Sequence, residues 1–284
     1  MSEPATPRED AKQDKQFEKD KENIKKYAKD LNRFFSYTKK RPNFKVVYSS
    51  TLYGFDRKKL YDTVTGQGNI MFCFETVKGD VFGCFDELEI PEANKYGSNS
   101  INNDPHYFVF SLVNKSFYGA FSLTLSDQKE KKNKAFAYTP TPRGVGIVDG
   151  VTNLGTSMVT GITQGITQGI TSSVDVISTI GQTSTKDSED KKKVRSLYVS
   201  SVVNTDWLLE TYCGFIISGN EVMFNKRMGS YYKIDVAPEV LSDDERQKAE
   251  FLSKVQDLFV GGNQPKAVEL KKMIVMQFTF DTKK

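Results

Sequence analysis

The pattern of apolar positions near the N-terminus predicts a helix. Between residues 8 and 37 apolar side chains recur at spacings of three, four and seven in a highly charged background: Phe17, Ile24, Tyr27, Leu31, Phe34 and Phe35. Such spacing places them on one stripe of a solvated helix. The stripe is densest at its C-terminal end, so we expect that end to pack on the main body. A coiled coil with a partner is the alternative.

From residue 44 onward the pattern changes to short β-branched and aromatic runs. NIMFCFET and DVFGCFDEL flank the turn VKGD, and YFVFSLV and SFYGAFSLTL follow; the runs return near the C-terminus as LYVSSVV, WLLETYCGFIISGN, EVMFNKRMG and ELKKMIVMQFTF. Strand-like runs joined by short Gly or Asn turns predict antiparallel hairpins. With the helices between them, they predict an α+β fold.

A segment of different composition separates the two groups of strands. It begins with a charged and proline-containing stretch, continues with threonine, glycine and glutamine, and ends in a second charged stretch. We therefore divide the chain into a charged N-terminal tail and helix (1–40), two halves of one β-rich domain (43–126 and 198–280), and an inserted low-complexity Thr/Gly-rich segment between them (127–197).

The inserted segment carries an apolar stripe of its own. Ten apolar residues follow the helical period, because the nine steps between them are each three or four residues long and together cover 33 positions: Ile147, Val151, Leu154, Met158, Ile162, Ile166, Ile170, Val174, Ile177 and Ile180. The many glycines each disfavour a helix by about 1 kcal/mol, so the helix needs an apolar surface to form. An uncharged polar face with an apolar stripe is typical of lipid-packing sensors, and we hypothesise that residues 145–181 fold on a membrane or lipid droplet. Disorder, a protein partner, or packing on the chain's own domain are the alternatives.

Charge, cysteine content and hydropathy exclude several classes of function for this chain. The formal net charge of the 284 residues is +4, too small to indicate general nucleic-acid binding. Three cysteines without a CxxC pair favour free thiols in a reducing compartment. The N-terminus has no apolar core of a secretory signal, and no apolar run reaches 18 residues. We expect a cytoplasmic protein, peripheral on membranes if the stripe binds lipid.

Several motifs resemble the TLDc domain of the oxidation-resistance proteins. VYSSTLYGFDRKKLYDTVTGQGNIMFCFETVKGDVFGCFDELEI and HYFVFSL follow that family's opening pattern of strand, helix, hairpin and strand, and CGFIISGNEVMFNK and KKMIVMQF resemble its later strands. The matching positions are Tyr48, Ser49, Gly54, Phe55, Leu60, Phe82, Gly83, Phe110, Ser111 and Leu112. The resemblance covers residues 43–126 and 198–280.

The resemblance implies an antiparallel β-sandwich flanked by short helices, without an established catalytic centre or cofactor. It also implies a role in protection against oxidative stress, and protein partners that include subunits of the vacuolar proton-pumping ATPase. A membrane-localised scaffold unrelated to stress is a further alternative.

The residue types that could perform catalysis favour a non-enzyme. His106 is the only histidine, and we expect a surface or capping role for it. A zinc site made from this histidine and the three cysteines is not expected, because these residues are scattered along the chain. Glu87 and Glu89 share a face at a strand end, which is common on solvated strands.

Cys73 and Cys84 are the candidates for redox chemistry. A two-residue turn at Lys78 and Gly79 would place the two thiols directly opposite each other on paired strands, close enough for a redox pair. That alternative makes the protein a thiol-dependent redox protein. The competing interpretation is that both cysteines are small apolar residues of the core, where burial suppresses the reactive thiolate.

Overall fold

The computed structural model describes residues 7–93, 100–114, 118–126, 195–201, 206–261 and 266–281. The inserted segment's apolar stripe lies outside these residues, so the fold below is that of the flanking parts. The helices are α1 (Pro7–Lys25), α2 (Ala28–Phe34), α3 (Ser50–Tyr53), α4 (Arg57–Val64), α5 (Glu245–Ser253) and α6 (Val255–Leu258). Two single 3₁₀ turns span Ser36–Thr38 and Met228–Ser230.

Twelve strands are seen in the described residues. They are β1 (Arg41–Ser49), β2 (Ile70–Thr76), β3 (Val81–Asp86), β4 (Ile101–Asn102), β5 (Phe108–Val113), β6 (Phe121–Leu125), β7 (Arg195–Val199), β8 (Trp207–Thr211), β9 (Phe215–Ser218), β10 (Glu221–Phe224), β11 (Tyr232–Val236) and β12 (Val268–Asp281). Every pairing between them is antiparallel. The predicted α+β class, with an antiparallel sheet and an N-terminal helix, is confirmed.

The long strand β12 joins two layers of sheet. Its central and C-terminal residues pair with β2 on one side and with β1 on the other, while its first residues pair with β10. The resulting order is β11-β6-β5-β3-β2-β12 in the first layer, with β1 beside β12, followed by β10-β9-β8-β7-β4 in the second. Strands from both sides of the inserted segment therefore pair directly with one another.

The main apolar core fills the space between the two layers. Phe74 and Phe82 of the first layer pack against Phe215 of the second, with ring centroids 6.0 and 5.4 Å apart. Helix α5 closes one end, where Phe251 packs on Phe121. Burial of such large aromatic side chains is the dominant stabilising contribution in a core of this kind.

A second core lies on the outer face of the first layer, beneath the N-terminal helices. Leu31, Phe34 and Phe35 are buried there, and the Phe35 ring lies 4.9 Å from Phe85 and 4.7 Å from Phe278. The C-terminal end of the N-terminal apolar stripe thus packs on the chain's own sheet. This placement follows from the sequence pattern, because the stripe is richest in aromatic residues at that end.

The β2–β3 hairpin corrects the predicted register. Its turn contains three residues, not two, because the backbone N–H of Thr76 donates to the carbonyl of Asp80 and Gly79 takes the left-handed conformation at φ 90°. Cys73 therefore pairs with Gly83, and Cys84 pairs with Phe72. Since side chains alternate between faces along a strand, the shift of one position moves the two thiols to opposite sides of the sheet.

Candidate functional site

A cavity of about 510 Å³ opens at the edge of the first layer, beside the start of β5. Its walls come from the first 3₁₀ turn, from the loop that leads into β5, from the end of β6 and from β11. The lining is mixed in character, with two acidic side chains, a lysine, a histidine and two tyrosines among its residues. Such a lining is suited to a polar ligand, and it borders a cluster of metal-ligating residue types.

That cluster consists of Glu87, Asp104 and His106. One potential ligand atom from each of the three lies within 4.8 Å of the other two. Strand pairing explains why they meet. Phe85 of β3 pairs with Phe108 of β5, so the residues that continue this register beyond the strands are Glu87 and His106. Antiparallel pairing thus brings together two residues that are 19 positions apart.

Asp104 holds the two segments together through its carboxylate. Its Oδ2 atom accepts hydrogen bonds from the backbone N–H groups of Glu87 at 2.6 Å and Leu88 at 3.3 Å. Its Oδ1 atom accepts one from the N–H of His106 at 2.8 Å. Hydrogen bonds of this kind to an ionised acceptor are stronger than neutral ones. They set the position of the carboxylate and of the backbone on both sides of the site.

The imidazole of His106 is fixed from two sides. Its Nδ1 atom is hydrogen bonded to Glu87 Oε2, and its ring stacks on Tyr37 with centroids 4.4 Å apart and planes 15° from parallel. Burial raises the pKa of the Tyr37 phenol, and the charges of Glu87, Asp104 and Asp235 raise it further. The tyrosine therefore stays neutral and serves as a flat wall for the imidazole.

A buried carboxyl group stands behind the cluster. Asp86 is fully buried, and its Oδ2 atom accepts a hydrogen bond of 3.0 Å from Ser196 Oγ of β7. Burial raises the pKa of Asp86 to about 10, with further contributions from the hydrogen bond and charge of Asp104. At neutral pH Asp86 is therefore protonated, because burial disfavours its charged form and two neighbouring buried carboxylates would repel each other.

The predicted redox residues do not form a pair. Cys73 lies in the outer core beneath the N-terminal helices, whereas Cys84 lies in the core between the two layers. Burial raises the pKa of Cys73 to about 12 and that of Cys84 well above its ordinary value. Burial likewise raises the pKa of the third thiol, Cys213, to about 11. Reaction requires the thiolate, which is scarce at all three positions at neutral pH.

The ten residues of the predicted membrane-contacting stripe, from Ile147 to Ile180, lie outside the described residues. Among the helices of the described part, none is both long and apolar enough to cross a bilayer.

The cluster was not predicted from the sequence, although two of its three members were considered there. Glu87 and His106 were each noticed singly, as a strand-end acid and as a capping or surface histidine. Asp104 and the buried Asp86 were not singled out, although both adjoin the residues that were. The signal that could have shown their proximity is the pairing register of β3 and β5. It can be worked out residue by residue once the two runs VFGCFDE and HYFVFSL are assigned as neighbouring strands.

The sequence model of the TLDc domain matches residues 21–198, which is more than half of the chain. The chain therefore belongs to the TLDc domain family. The matched region ends within β7, and the strands that follow are joined to it by pairing with β2, β6 and β7. No curated protein matches the chain.

Proposed function

We propose that this TLDc protein is a non-catalytic binding module that protects against oxidative stress by binding a protein partner in the cytoplasm. Subunits of the vacuolar proton-pumping ATPase are the partners proposed from the family resemblance. The family match supports a TLDc role in general, and the choice of partner goes beyond that match.

One observation favours binding over thiol chemistry. Cys73 and Cys84 belong to different cores on opposite faces of the sheet, and burial raises the pKa of both thiols. Two thiols on opposite faces cannot close a disulfide without rearranging the strands that carry them. The alternative of a redox protein that uses these two cysteines is therefore disfavoured.

Hydrogen peroxide survival tests the non-catalytic character. Cells lacking the protein would be complemented with the wild-type chain, with the double variant Cys73→Ser and Cys84→Ser, and with Cys213→Ser as a matched single-thiol control. We expect equal protection from all three at equal protein levels. Loss of protection in the double variant alone, with the folded protein still present, would support a redox role.

Capture of partners tests the binding role. The full chain would be immobilised and incubated with purified vacuolar ATPase subunits, with a deletion of residues 127–194, which leaves strand β7 intact, as the second bait. Binding by both baits would place the contact on the TLDc domain. Absence of binding in both, together with intact stress protection, would reject the proton pump as the partner. A scaffold unrelated to stress would instead lack protection in the survival assay.

We further propose that residues 145–181 contact a lipid surface through their apolar stripe, as the sequence period suggests. Flotation of the full chain with liposomes tests this. The variant with Ile162, Ile166 and Ile170 changed to Ser should lose flotation, and a control with Thr163, Thr167 and Thr171 changed to Ser should retain it. Equal flotation of both variants, or none by the wild type, would reject the lipid contact.

A further inference from the structure

We propose that Glu87, Asp104 and His106 form a binding site for one divalent transition-metal cation of the Zn²⁺ class, with its remaining coordination positions open to the cavity. This inference is independent of the proposed binding function, because it depends only on side chains at the end of β3 and before β5.

The donor set is suited to such a cation. One imidazole nitrogen and two carboxylates are common ligands of Zn²⁺ and related first-row cations. Sites with three protein ligands keep a further position for water or another ligand. Here the cavity of about 510 Å³ adjoins Asp104 and His106 and provides the space for it.

The distances between the ligands require only local movement. Tetrahedral ligands about 2.0–2.2 Å from zinc lie roughly 3.3–3.6 Å from one another, and the three candidate atoms here lie within 4.8 Å. The side chains of His106 and Glu87 are 40% and 33% exposed, so both can rotate without disturbing the core. The cation would replace the hydrogen that joins His106 Nδ1 to Glu87 Oε2.

The surroundings fix the Asp104 ligand and support the His106 ring. Three backbone N–H groups fix the Asp104 carboxylate, and the Tyr37 ring supports the imidazole. Outer contacts of this kind orient ligands in metal sites and contribute to affinity. The charges also favour a cation, since Asp235 and Asp104 line the cavity with Lys233 as its basic residue, and Glu87 adds a further carboxylate beside it.

Metal titration of the tag-free full chain tests the site. Co²⁺ would be followed by visible absorption and Zn²⁺ by calorimetry, each added alone to metal-stripped protein. We expect one cation per chain and no thiolate-to-cobalt charge-transfer band, because the ligands are nitrogen and oxygen. A charge-transfer band, or the absence of saturable binding, would overturn the proposal.

Variants assign the binding to these side chains. His106→Gln and Glu87→Gln should each weaken affinity more than the roughly 10–100-fold that loss of an outer-shell contact costs. Glu89→Gln is the matched control, because Glu89 is exposed on the same segment and lies outside the cluster. Equal affinity in all three variants would overturn the assignment.

Asp104→Asn removes a carboxylate that carries backbone hydrogen bonds, so near-ultraviolet circular dichroism must first show that this variant is folded.

Discussion

Helix α1 is attached to the sheet through a buried ion pair. Substitution of either charged residue tests whether the helix packs on the sheet as described. Asp20 of α1 is fully buried and pairs with Lys272 of β12, whose side chain is only 14% exposed. Gln16 Nε2 also donates to Asp20 Oδ1 at 2.8 Å, while Asp20 Oδ2 has no hydrogen-bond partner among the described residues. Asp20 therefore depends on Lys272 for compensation of its charge.

The magnitude follows from what each substitution leaves behind. Lys272→Met leaves the Asp20 carboxylate buried without its counter-ion, which costs about 3–5 kcal/mol in comparable sites. Asp20→Asn leaves the partly exposed ammonium of Lys272, which can turn toward water, so we expect a smaller loss of about 1–3 kcal/mol. The double variant Asp20→Leu and Lys272→Met removes both charges and should recover most of the loss, because apolar replacement of a buried pair is often neutral or stabilising.

Urea unfolding with hydrogen exchange measures the effect and locates it. Lys271→Met is the control, since Lys271 is the preceding residue in the same strand and forms a solvent-exposed pair with Glu75, which should contribute much less to stability than the buried pair. We also expect faster exchange of the α1 amides than of β2 in the Lys272→Met variant, because the helix opens locally first. Equal losses from the two lysine variants, or no recovery in the double variant, would refute the reasoning.

Three further outcomes are expected. Gly83→Ala should destabilise the fold by about 3 kcal/mol or more in urea unfolding, because its Cβ would lie 1.9 Å from the Phe72 carbonyl oxygen; stability within about 1 kcal/mol of wild type would contradict the close packing. Tyr48→Phe should cost about 1–3 kcal/mol in the same assay, since the hydroxyl donates to the Gly54 carbonyl at 2.9 Å and accepts from the Asp56 N–H at 3.2 Å. Alkylation of Cys213, with its pKa of about 11, should accelerate roughly tenfold per pH unit between pH 7 and 10, because each unit raises the thiolate fraction tenfold. Mass spectrometry of peptides should show Cys73 reacting more slowly still, and equal rates for the two thiols would contradict their different burial.

The hairpin between β2 and β3 shows how local patterns lose accuracy. Both strands and the position of the turn are readable from alternating apolar runs around VKGD. The register cannot be read from the sequence, because a three-residue turn with Gly79 at positive φ and a two-residue turn are compatible with the same residues. That difference of one residue separates Cys73 from Cys84 and removes the geometric basis of the redox alternative.

The cluster of Glu87, Asp104 and His106 could not be predicted from the sequence for a different reason. Each residue by itself looks like an ordinary strand-end or loop residue. Their meeting depends on the pairing of β3 with β5 across a loop, and on the turn in which Asp104 accepts hydrogen bonds from both segments. Residues in non-local contact leave no periodic signal in a single sequence, so a cluster of this kind becomes visible only when the neighbouring strands are placed.

The α+β class, the antiparallel strands, the N-terminal helix and the family resemblance could all be predicted from the sequence, because they depend on local periodicity and on short motifs. Three features became visible only in the folded chain: β12 joins two layers, the thiols lie on opposite faces, and three side chains converge beside a cavity. Register and convergence depend on contacts between residues distant in sequence, where a shift of one position reverses which side of a sheet each side chain faces.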